Sequence, residues 1–275
     1  MSAELGINPW LAAGLAITAS LLAGRLRMLN GSGVLAAALL GFAVLAYGGW
    51  GWALLLLAFF GSSSLLSRAF KSRKANVAAD FAKGGQRDWA QVAANGGMAL
   101  IALSLWLVGL IDGGQATLLY AGALATVNAD TWATELGVLS RQAPRLVTSW
   151  RQVPKGTSGG VTGQGTLAAL VGAALIGLLA AWWLPALPGR AWLAVSVAGL
   201  AGAFVDSLLG ATVQAIYCCP QCDKHTERHP AHVCGTATEL ARGWAWLNND
   251  WVNFISAAAG GLLALWLTGL LAAVA

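Results

Sequence analysis

Charge is what this sequence has least of. Only 10% of its 275 residues are Asp, Glu, Lys or Arg, whereas 57% are hydrophobic and the mean hydropathy is +0.67. Soluble domains carry roughly 25% charged residues. A chain with so little charge could not cover a folded surface with polar groups, which excludes an ordinary water-soluble domain. The composition therefore predicts a protein whose solvent is lipid.

The N-terminal region also lacks the positive charge that opens a cleaved secretory signal. No Lys or Arg precedes the first apolar run, and Arg25 and Arg27 follow it. This charge distribution is the reverse of the one in a signal peptide. The pattern indicates an uncleaved first membrane helix with the N-terminus outside.

Long apolar runs recur along the chain, and most are near the ~20 residues that cross the hydrocarbon of a bilayer. We predict an all-α fold, a polytopic transmembrane bundle of about eight spans that forms a single integral membrane domain over 1–275. The predicted spans are 9–24, 32–48, 50–67, 91–111, 116–139, 163–184, 190–216 and 251–274. The 35 glycines of the sequence favour close helix packing in lipid.

Positive charge is almost missing from one side of this predicted topology. If eight spans alternate, 15 of the 16 Lys and Arg residues fall on one side and only Arg190 falls on the other. The positive-inside rule makes the rich side cytoplasmic. Its long loops are a basic loop (68–90), a glycine-rich loop (140–162) and a loop with Cys and His (217–249). We expect an inner or plasma membrane location with the active site on the cytoplasmic side, and no nucleic-acid partner, because no nucleic-acid-binding motif is present.

Two carboxylates interrupt the predicted fifth span. Asp130 and Glu135 share one half of the helix with Asn128 and Thr131, at ~100° per residue. Ionisable residues inside a span must face a polar cavity, a cation or a buried partner. Carboxylate and amide oxygens are the ligands that Mg²⁺ prefers. The segment therefore predicts a Mg²⁺ site, and a purely structural role is the alternative.

Further carboxylates occur near the same membrane side. Asp206 lies within the predicted seventh span, at a depth comparable to that of Asp130, and Asp250 opens the eighth beside Asn249 and Asn253. Asp206 and Asp250 are candidate Mg²⁺ ligands with Asp130 and Glu135. Capping of the eighth helix is the alternative role for one residue of the Asn-Asn-Asp run.

A basic and amide-rich face leads from the first long loop into the fourth span. Arg87, Gln91 and Asn95 are four residues apart and stack on one face of a helix, and Lys83 precedes them. This spacing predicts a cationic clamp for an anion at the membrane surface. A snorkelling Arg with an amide contact between helices is the alternative.

The glycine-rich loop precedes the sixth span. Gly, Ser and Thr allow backbone N–H groups to converge on an anion, and the following helix N-terminus adds a favourable dipole. The candidate phosphate-binding residues are Lys155, Gly156, Thr157, Ser158, Gly159 and Gly160. The string is not the P-loop pattern, and a flexible turn is the alternative.

Cysteine is rare, and all four cysteines lie in one segment with the only three histidines. Cys219 and Cys222 have the spacing of a zinc knuckle, and Cys234 with Cys218 or His232 could complete a tetrahedron. Free thiols or a Cys–Cys bridge are the alternatives. A zinc ion held in this way would be structural, because the site leaves no open coordination position.

These groups together are the parts that phosphoryl transfer needs: a divalent metal, N–H and cationic clamps for phosphates, and a positioned acceptor. The membrane setting favours a lipid acceptor. The chain has no histidine within a predicted span, but an acceptor phosphate is already largely ionised at neutral pH, since its second pKa is about 6. A strong general base is therefore not required.

Several strings together resemble one known family. They are 128–135, Pro144 with Arg145, 155–160, Lys83 through Gly96, 206–210 and 248–253. They resemble the integral membrane family DUF92, which includes phytyl-phosphate kinase of the tocopherol pathway and the transmembrane-protein-19 group. The resemblance covers roughly residues 60–260. It implies a prenyl-phosphate kinase that uses a nucleoside triphosphate, with CTP favoured by analogy with related phytol kinases.

We hypothesise the following roles. Asp130 and Glu135, with Asp206 and Asp250, hold Mg²⁺, while Lys155 and the 156–160 segment bind the triphosphate. Lys83 and Arg87 clamp the acceptor or transferred phosphate, and orienting contacts come from Asn95, Asn128, Thr131, Asn249 and Asn253. A transporter of an anionic or lipid-linked solute and a lipid cytidylyltransferase are the alternatives. The scarcity of external charge disfavours transport, and the sequence does not give the oligomeric state.

Overall fold

The computed structural model describes residues 7–70, 85–184 and 188–273, and within these ranges the chain forms eight α-helices. They are α1 (Pro9–Arg25), α2 (Gly31–Ala43), α3 (Gly49–Ala69), α4 (Trp89–Leu107), α5 (Gly113–Gly137), α6 (Gly163–Trp183), α7 (Pro188–Thr212) and α8 (Asn249–Ala273). A π-helical segment, Val44–Gly48, joins α2 to α3. The helix breaks at Gly49, whose φ of +75° favours glycine, within the Gly-Gly-Trp-Gly string that separates the predicted second and third spans.

The fold is that of a multi-pass helical membrane protein. In the described ranges, five helical runs are long and apolar enough to cross a membrane. They are Gly31–Ala69, Trp89–Leu107, Gly163–Trp183, Pro188–Thr212 and Asn249–Leu271. The helical bundle is therefore confirmed, whereas the count of eight spans and the outside N-terminus stay predictions.

Helix α5 is the central helix of the bundle. Every residue from Ala116 to Ala129 is buried, and α5 packs against α3, α4, α6, α7 and α8. Other helices surround α5 in place of lipid. This position explains how α5 carries Asn128, Asp130 and Glu135 in its C-terminal half, because polar groups in membranes face the bundle interior.

Small residues allow the neighbouring helices to approach α5 closely. A Cβ atom on Gly122 would lie 2.7 Å from the carbonyl oxygen of Gly260 in α8, and one on Gly199 of α7 would lie 2.6 Å from the Cβ of Ala125. Van der Waals packing between small residues drives helix association in lipid, where the hydrophobic effect is absent. The abundance of glycine that the sequence shows thus serves the packing around the central helix.

The long loops contain two small β-sheets that the all-α prediction omitted. In the glycine-rich loop, β1 (Arg145–Leu146) pairs antiparallel with β2 (Gly160–Val161). In the Cys/His loop, β3 (Ile216–Cys219) lies between β4 (Lys224–Thr226) and β5 (Glu239–Arg242), antiparallel to both. The predicted seventh span, 190–216, therefore ends early at Thr212, because buried Ile216 and Tyr217 pair in this sheet.

Candidate functional site

A cavity of about 850 Å³ lies where six helices end. Its walls come from the C-terminal parts of α3, α5 and α7, the N-terminal parts of α4, α6 and α8, and the turn between α1 and α2. The glycine-rich loop and the Cys/His loop complete it. Alternating helix ends therefore meet at one end of the bundle, the end that the charge distribution predicts to be cytoplasmic.

Most predicted site residues line this cavity. They are Arg87, Asn95, Asp130, Thr131, Glu135, Lys155, Gly156, Thr157, Ser158, Gly159, Gly160, Asp206, Asn249, Asp250 and Asn253. Gln91 lines it too, so the predicted face of Arg87, Gln91 and Asn95 does point in one direction. Lys83 lies outside the described residues.

Asn128 is the exception, because it lies behind the cavity wall. Its side chain is fully buried, accepts a hydrogen bond from Ser62 Oγ at 3.1 Å and donates to the Gly172 carbonyl at 2.8 Å. Ser62 also accepts from the indole N–H of Trp132 at 3.2 Å. In this structure Asn128 ties α5 to α3 and α6, so it supports the site from outside the cavity.

Three carboxylates from separate elements share the cavity and interact electrostatically: Asp130 of α5, Asp206 of α7 and Glu227 of the Cys/His loop. The Oδ2 atom of Asp206 accepts a hydrogen bond from Ser256 Oγ of α8 at 3.0 Å. Like charges held together repel one another unless a cation or protons neutralise them. Oxygen donors from several helices are a set that suits a hard divalent cation.

Glu135 lies in a different environment, beside a cation. Its Oε1 atom accepts a hydrogen bond from Ser67 Oγ at 2.6 Å, and its charge acts on the Arg87 guanidinium. Arg87 donates to Ser63 Oγ at 2.9 Å and lies 5.2 Å from the ring centre of Phe59. Burial lowers the pKa of Arg87 to about 10, while the negative charge of Glu135 opposes this shift. Arg87 and Glu135 thus form a charged pair on one wall.

The backbone of Arg87 is fastened to the turn between α1 and α2. Its N–H donates to the Met28 carbonyl at 2.9 Å, and its own carbonyl accepts from the Asn30 N–H at 3.1 Å. A Cβ atom on Gly33 would lie 2.1 Å from that carbonyl, so glycine is needed for the approach. The two N-terminal helices therefore help to position the cation of the site.

The glycine-rich loop curves over the cavity in a conformation that favours glycine. Gly156 and Gly159 have φ values of +86° and +81°. A Cβ atom on Gly159 would lie 2.5 Å from the Cβ of Ala211, so the loop lies directly against the end of α7. Thr162 caps α6 by accepting from the Gly165 N–H at 3.0 Å, which places a helix N-terminus in the cavity wall.

Lys155 contacts the end of the central helix. Its ammonium group donates to the carbonyls of Val138 at 2.9 Å and Ser140 at 2.7 Å, just beyond the C-terminus of α5. A cation at a helix C-terminus is favourable, because the last carbonyl groups lack intrahelical partners. Lys155 is also exposed and lines the cavity, so its position joins the glycine-rich loop to the helix that carries Asp130.

A hydrogen-bonded chain joins the two loops of the site. Ser158 Oγ donates to Gln214 Oε1 at 2.9 Å, and Gln214 Nε2 donates to Glu227 Oε1 at 2.8 Å. Gln214 is 2% exposed. The glycine-rich loop and the carboxylate of Glu227 are therefore held by the same buried amide.

Four polar residues at the start of α8 line the cavity, and one of them, Asn248, also has a capping role. Asn248 caps the helix, since its Oδ1 atom accepts from the Trp251 N–H at 3.2 Å. Asn249, Asp250 and Asn253 follow in the first turns and line the cavity. The capping alternative is thus fulfilled by Asn248, and the other three residues face the site.

An apolar groove adjoins the polar cavity. A second cavity of about 490 Å³ lies between α6, α7 and the glycine-rich loop, with Trp150 at its edge. It is lined chiefly by apolar groups and shares Leu200 and Phe204 with the larger cavity. The apolar groove and the polar cavity therefore adjoin each other along α6 and α7.

The Cys/His loop brings four metal-ligating side chains together: Cys219, Cys222, His232 and Cys234, whose ligand atoms all lie within 4.8 Å of one another. The fourth member of this cluster is His232 and not Cys218. Residues 218 and 219 are adjacent in β3, and neighbouring side chains in a strand point to opposite faces. Hydrogen bonds from Thr236 lower the pKa of the Cys234 thiol to about 5.

Sequence reasoning missed three residues of the site: Ser67, Gln214 and Glu227. Ser67 is a small polar residue near the end of a helix, and Glu227 lies in a polar loop, so neither breaks a sequence pattern. Gln214 lies beyond α7 but inside the predicted seventh span, so an amide within an apolar segment is the signal that could have identified it.

Comparison with known proteins agrees with this architecture. The family model described as integral membrane protein DUF92 matches residues 14–261. Protein PGR of Arabidopsis thaliana is 36% identical over 229 residues, which cover 74% of this chain and 76% of that protein. The uncharacterized membrane protein MJ0933 of Methanocaldococcus jannaschii is 35% identical over 185 residues, 67% of this chain and 74% of that protein.

A third relative is more distant. Protein VTE6, chloroplastic, of Arabidopsis thaliana is 26% identical over 240 residues, 86% of this chain and 64% of that protein. No solved structure matches. The family match covers most of the chain and includes every described segment of the cavity, and the resemblance of the sequence motifs is thereby confirmed. The chain belongs to the DUF92 family of integral membrane proteins.

Proposed function

We propose that this protein is a membrane-embedded prenyl-phosphate kinase. It transfers the γ-phosphoryl group of a nucleoside triphosphate, CTP in preference, to an isoprenoid monophosphate such as phytyl phosphate and forms the diphosphate. The observation that carries the proposal is the cavity of about 850 Å³, where carboxylates, a cation and a glycine-rich loop meet beside an apolar groove. These are the parts of a phosphoryl-transfer site with a lipid acceptor.

The carboxylates fit a Mg²⁺ site by their chemistry. Asp130, Asp206 and Glu227 act on one another electrostatically within one cavity, and Asp250 lines the same space. We assign the metal to this group, with Glu135 at its edge as the partner of Arg87. A bound Mg²⁺ would neutralise charge on the phosphate oxygens. The carboxylates would hold the ion in the same cavity as the glycine-rich loop.

The triphosphate has its place at the loop and the N-terminus of α6. The 156–160 segment offers backbone N–H groups and the hydroxyls of Thr157 and Ser158, and the helix dipole favours an anion. Lys155 can turn from the α5 carbonyls to a phosphate oxygen, because it is exposed and flexible. The nucleotide would thereby replace the contacts that now hold the lysine.

The acceptor has its phosphate near Arg87 and its tail in the apolar groove. The guanidinium of Arg87 can bind a phosphate in a bidentate manner, and Asn95 lies on the same face of α4. Leu200 and Phe204 line both spaces, so an isoprenoid chain could pass between them into the groove. Lys83 is proposed as a second cation of this clamp.

The reaction requires alignment of these two phosphates and neutralisation of their charge. An oxygen of the acceptor monophosphate forms a bond to the γ-phosphorus, while the bond from the γ-phosphorus to the β–γ bridging oxygen breaks. The nucleoside diphosphate leaves with that oxygen. The acceptor oxygen is already ionised, so no side chain has to remove a proton. The protein contributes positioning and electrostatic stabilisation, which account for most catalysis in this reaction class.

Family membership supports the choice of acceptor. The motifs at 128–135 and 155–160 resemble those of a family that includes a phytyl-phosphate kinase, and both segments line or support the cavity. Protein VTE6, chloroplastic, and Protein PGR are further proteins to which this chain is similar. The nucleotide and the length of the isoprenoid are chosen by analogy.

The deciding experiment uses the full chain purified in detergent. The protein is incubated with γ-labelled CTP or ATP, Mg²⁺ and a panel of prenyl monophosphates of different lengths. Label in the lipid diphosphate is the expected result. Release of labelled pyrophosphate, with the nucleotide joined to the lipid, would indicate a cytidylyltransferase. An absence of product with every combination of nucleotide and prenyl monophosphate would overturn the proposal.

A further inference from the structure

Beside the cavity, two turns of the Cys/His loop face each other. Cys219 ends β3, and Cys222 lies in the turn to β4, where Asp223 has a φ of +49°. In the second turn, the Gly235 N–H donates to the His232 carbonyl at 2.9 Å, and the His232 N–H donates to the Thr236 carbonyl at 2.9 Å. Each turn presents two ligands, which is the arrangement of zinc knuckles.

The distances between the ligands suit one tetrahedral ion. Cys219 Sγ and Cys234 Sγ are 3.5 Å apart, and His232 Nδ1 is 3.3 Å from Cys234 Sγ. Zn–S bonds of about 2.3 Å separate two tetrahedral sulfur ligands by about 3.8 Å. We propose that Cys219, Cys222, His232 and Cys234 bind one structural Zn²⁺. The protein supplies all four ligands, so the ion has no open position for catalysis.

A disulfide would not explain this arrangement. Among the four cysteines, all in the part of the chain that the structure describes, none forms a disulfide. A disulfide joins two sulfurs, whereas three thiols and a buried imidazole converge here. Cys218 is the internal contrast, because it is next to Cys219 in sequence but does not belong to the cluster. The cluster therefore contains the side chains that could bind one metal ion together, and it does not contain every cysteine of the loop.

The sheet that carries these ligands is too small to be stable by itself. Its three strands have 4, 3 and 4 residues. Short sheets need a packed apolar face or another element for stability. Buried Tyr217 stacks on His229 at 4.5 Å, which is a small core. In such sites the free energy of zinc binding contributes directly to the free energy of folding. The ion would therefore stabilise this small sheet.

The zinc module is joined directly to the cavity wall. Glu227 follows β4 and accepts from Gln214, and Arg242 of β5 donates to the Gly210 carbonyl at 2.9 Å near the end of α7. The ion would therefore fix the loop that carries Glu227, whose charge acts on Asp130 and Asp206 in the cavity. Zinc binding itself does not depend on the proposed kinase activity, so the two proposals can fail separately.

The first test measures metal in the wild-type full chain, purified in detergent without metal-affinity resin or added zinc. Elemental analysis should find one Zn per chain, and X-ray absorption at the zinc edge should find three sulfur ligands and one nitrogen ligand. Protein without bound zinc that also fails to take up Zn²⁺ or Co²⁺ would overturn the proposal. A shell of four sulfurs, or of oxygens, would overturn this ligand set.

The second test compares Cys222→Ser with Cys218→Ser. Cys222→Ser should lose at least about 10-fold in zinc affinity, measured by competition with a colorimetric chelator, since it removes a ligand. Cys218→Ser should keep one Zn per chain. Equal zinc retention in the two variants would overturn the site, as would equal loss.

Hydrogen exchange shows whether the ion orders the loop, and it uses the wild-type chain, so it does not depend on folding of a variant. Removal of zinc by a chelator should increase exchange at 216–242 and leave the central part of α5 protected. Unchanged exchange at 216–242 after verified zinc removal would overturn the structural role.

Discussion

At the scale of single residues, the acidic side chains of the cavity divide by their neighbours. Glu135 accepts a hydrogen bond from Ser67 and its charge acts on Arg87, whereas Asp130, Asp206 and Glu227 line one cavity and act on one another electrostatically. A carboxylate next to a cation is already compensated, but carboxylates next to one another need a cation from outside. We therefore propose a positioning role for Glu135 and a metal-binding role for the other three carboxylates.

Asp130 provides the most direct test of that assignment. Asp130→Asn keeps the shape of the side chain but removes its charge, so kinase activity should fall by at least about 100-fold, as for loss of a key electrostatic group. The measurement is the initial rate with labelled nucleotide in detergent. Asp112→Asn is the control, because Asp112 caps the other end of α5 and Asn is an equally good cap. Full activity of Asp130→Asn would remove this residue from the metal site.

A second test concerns Glu227, which the structure identified and the sequence did not. Glu227→Gln should raise the Mg²⁺ concentration for half-maximal rate by about 10-fold or more, a typical effect of losing a group that supports a metal site. The rate is measured as a function of Mg²⁺ at saturating nucleotide. Glu239→Gln removes the same charge from an exposed position on β5 and should change nothing. An identical Mg²⁺ dependence in both variants would contradict the role of Glu227.

The predictability of single residues depended on where they lie. Asp130 and Asp206 could be found from the sequence because a carboxylate in an apolar span is an anomaly. Glu227 could not, because a carboxylate in a polar loop is ordinary. For zinc, the sequence left Cys218 and His232 as alternatives, and only the alternation of side chains along β3 separates Cys218 from its neighbour.

At the scale of elements, the glycine-rich loop is fitted against the end of α7. Gly159→Ala places a Cβ atom 2.5 Å from Ala211 in a backbone with φ of +81°, where an L-residue costs about 1–2 kcal/mol. The loop should shift, and kcat/KM for the nucleotide should fall by about 10-fold. Gly163→Ala is the matched control, since a Cβ atom there meets nothing within 4 Å. Equal kinetics of the two variants would contradict a fitted phosphate loop.

The apolar groove is the second element with a testable role. Leu170→Trp should fill part of the groove and raise KM for long isoprenoid monophosphates by roughly 10-fold. Small changes in the volume of an apolar pocket typically change substrate discrimination by at least this factor. Short-chain acceptors should be unaffected, because they do not reach Leu170. Leu178→Trp enlarges an exposed residue of the same helix outside the groove and serves as the control. A uniform effect on all chain lengths would argue against tail binding there.

Helices and strands were not equally predictable. Long apolar runs and their glycine breaks indicate the helices, so α1 and α5 lie within three residues of their predicted bounds at each end. The strands have only two to four residues, and such short segments show no periodicity. Their pairing depends on contacts between distant residues, such as Tyr217 with Leu240, which one sequence does not reveal.

At the scale of the whole molecule, the alternating helix ends agree with the distribution of basic residues. The cavity lies at the ends of α3 and α5 and the starts of α4 and α6, which is where the predicted cytoplasmic loops lie. The sequence could therefore predict which end carries the site. It could not predict that α5 is enclosed by other helices, because enclosure depends on how all spans assemble.

Reporter fusions test this orientation in bacterial cells. Alkaline phosphatase fused after residue 112 should be active, and the same enzyme fused after residue 150 should be inactive, because its disulfides form only in an oxidising compartment. Fusions to a fluorescent protein that matures in the cytoplasm should give the reverse pattern. Reversed activities at the two positions would place the cavity on the outer side, and activity at both would contradict the assignment of α5 as a crossing helix.

The buried amide of Gln214 has a consequence for how the binding of one ligand affects the binding of the other. Its oxygen accepts from Ser158 and its nitrogen donates to Glu227, so only one of its two orientations satisfies both partners. A phosphate that attracts the Ser158 hydroxyl would release the amide oxygen, and a cation on Glu227 would release the amide nitrogen. Each event loosens the contact that opposes the other, so we expect each of the two ligands, cation and nucleotide, to bind more tightly when the other is already bound.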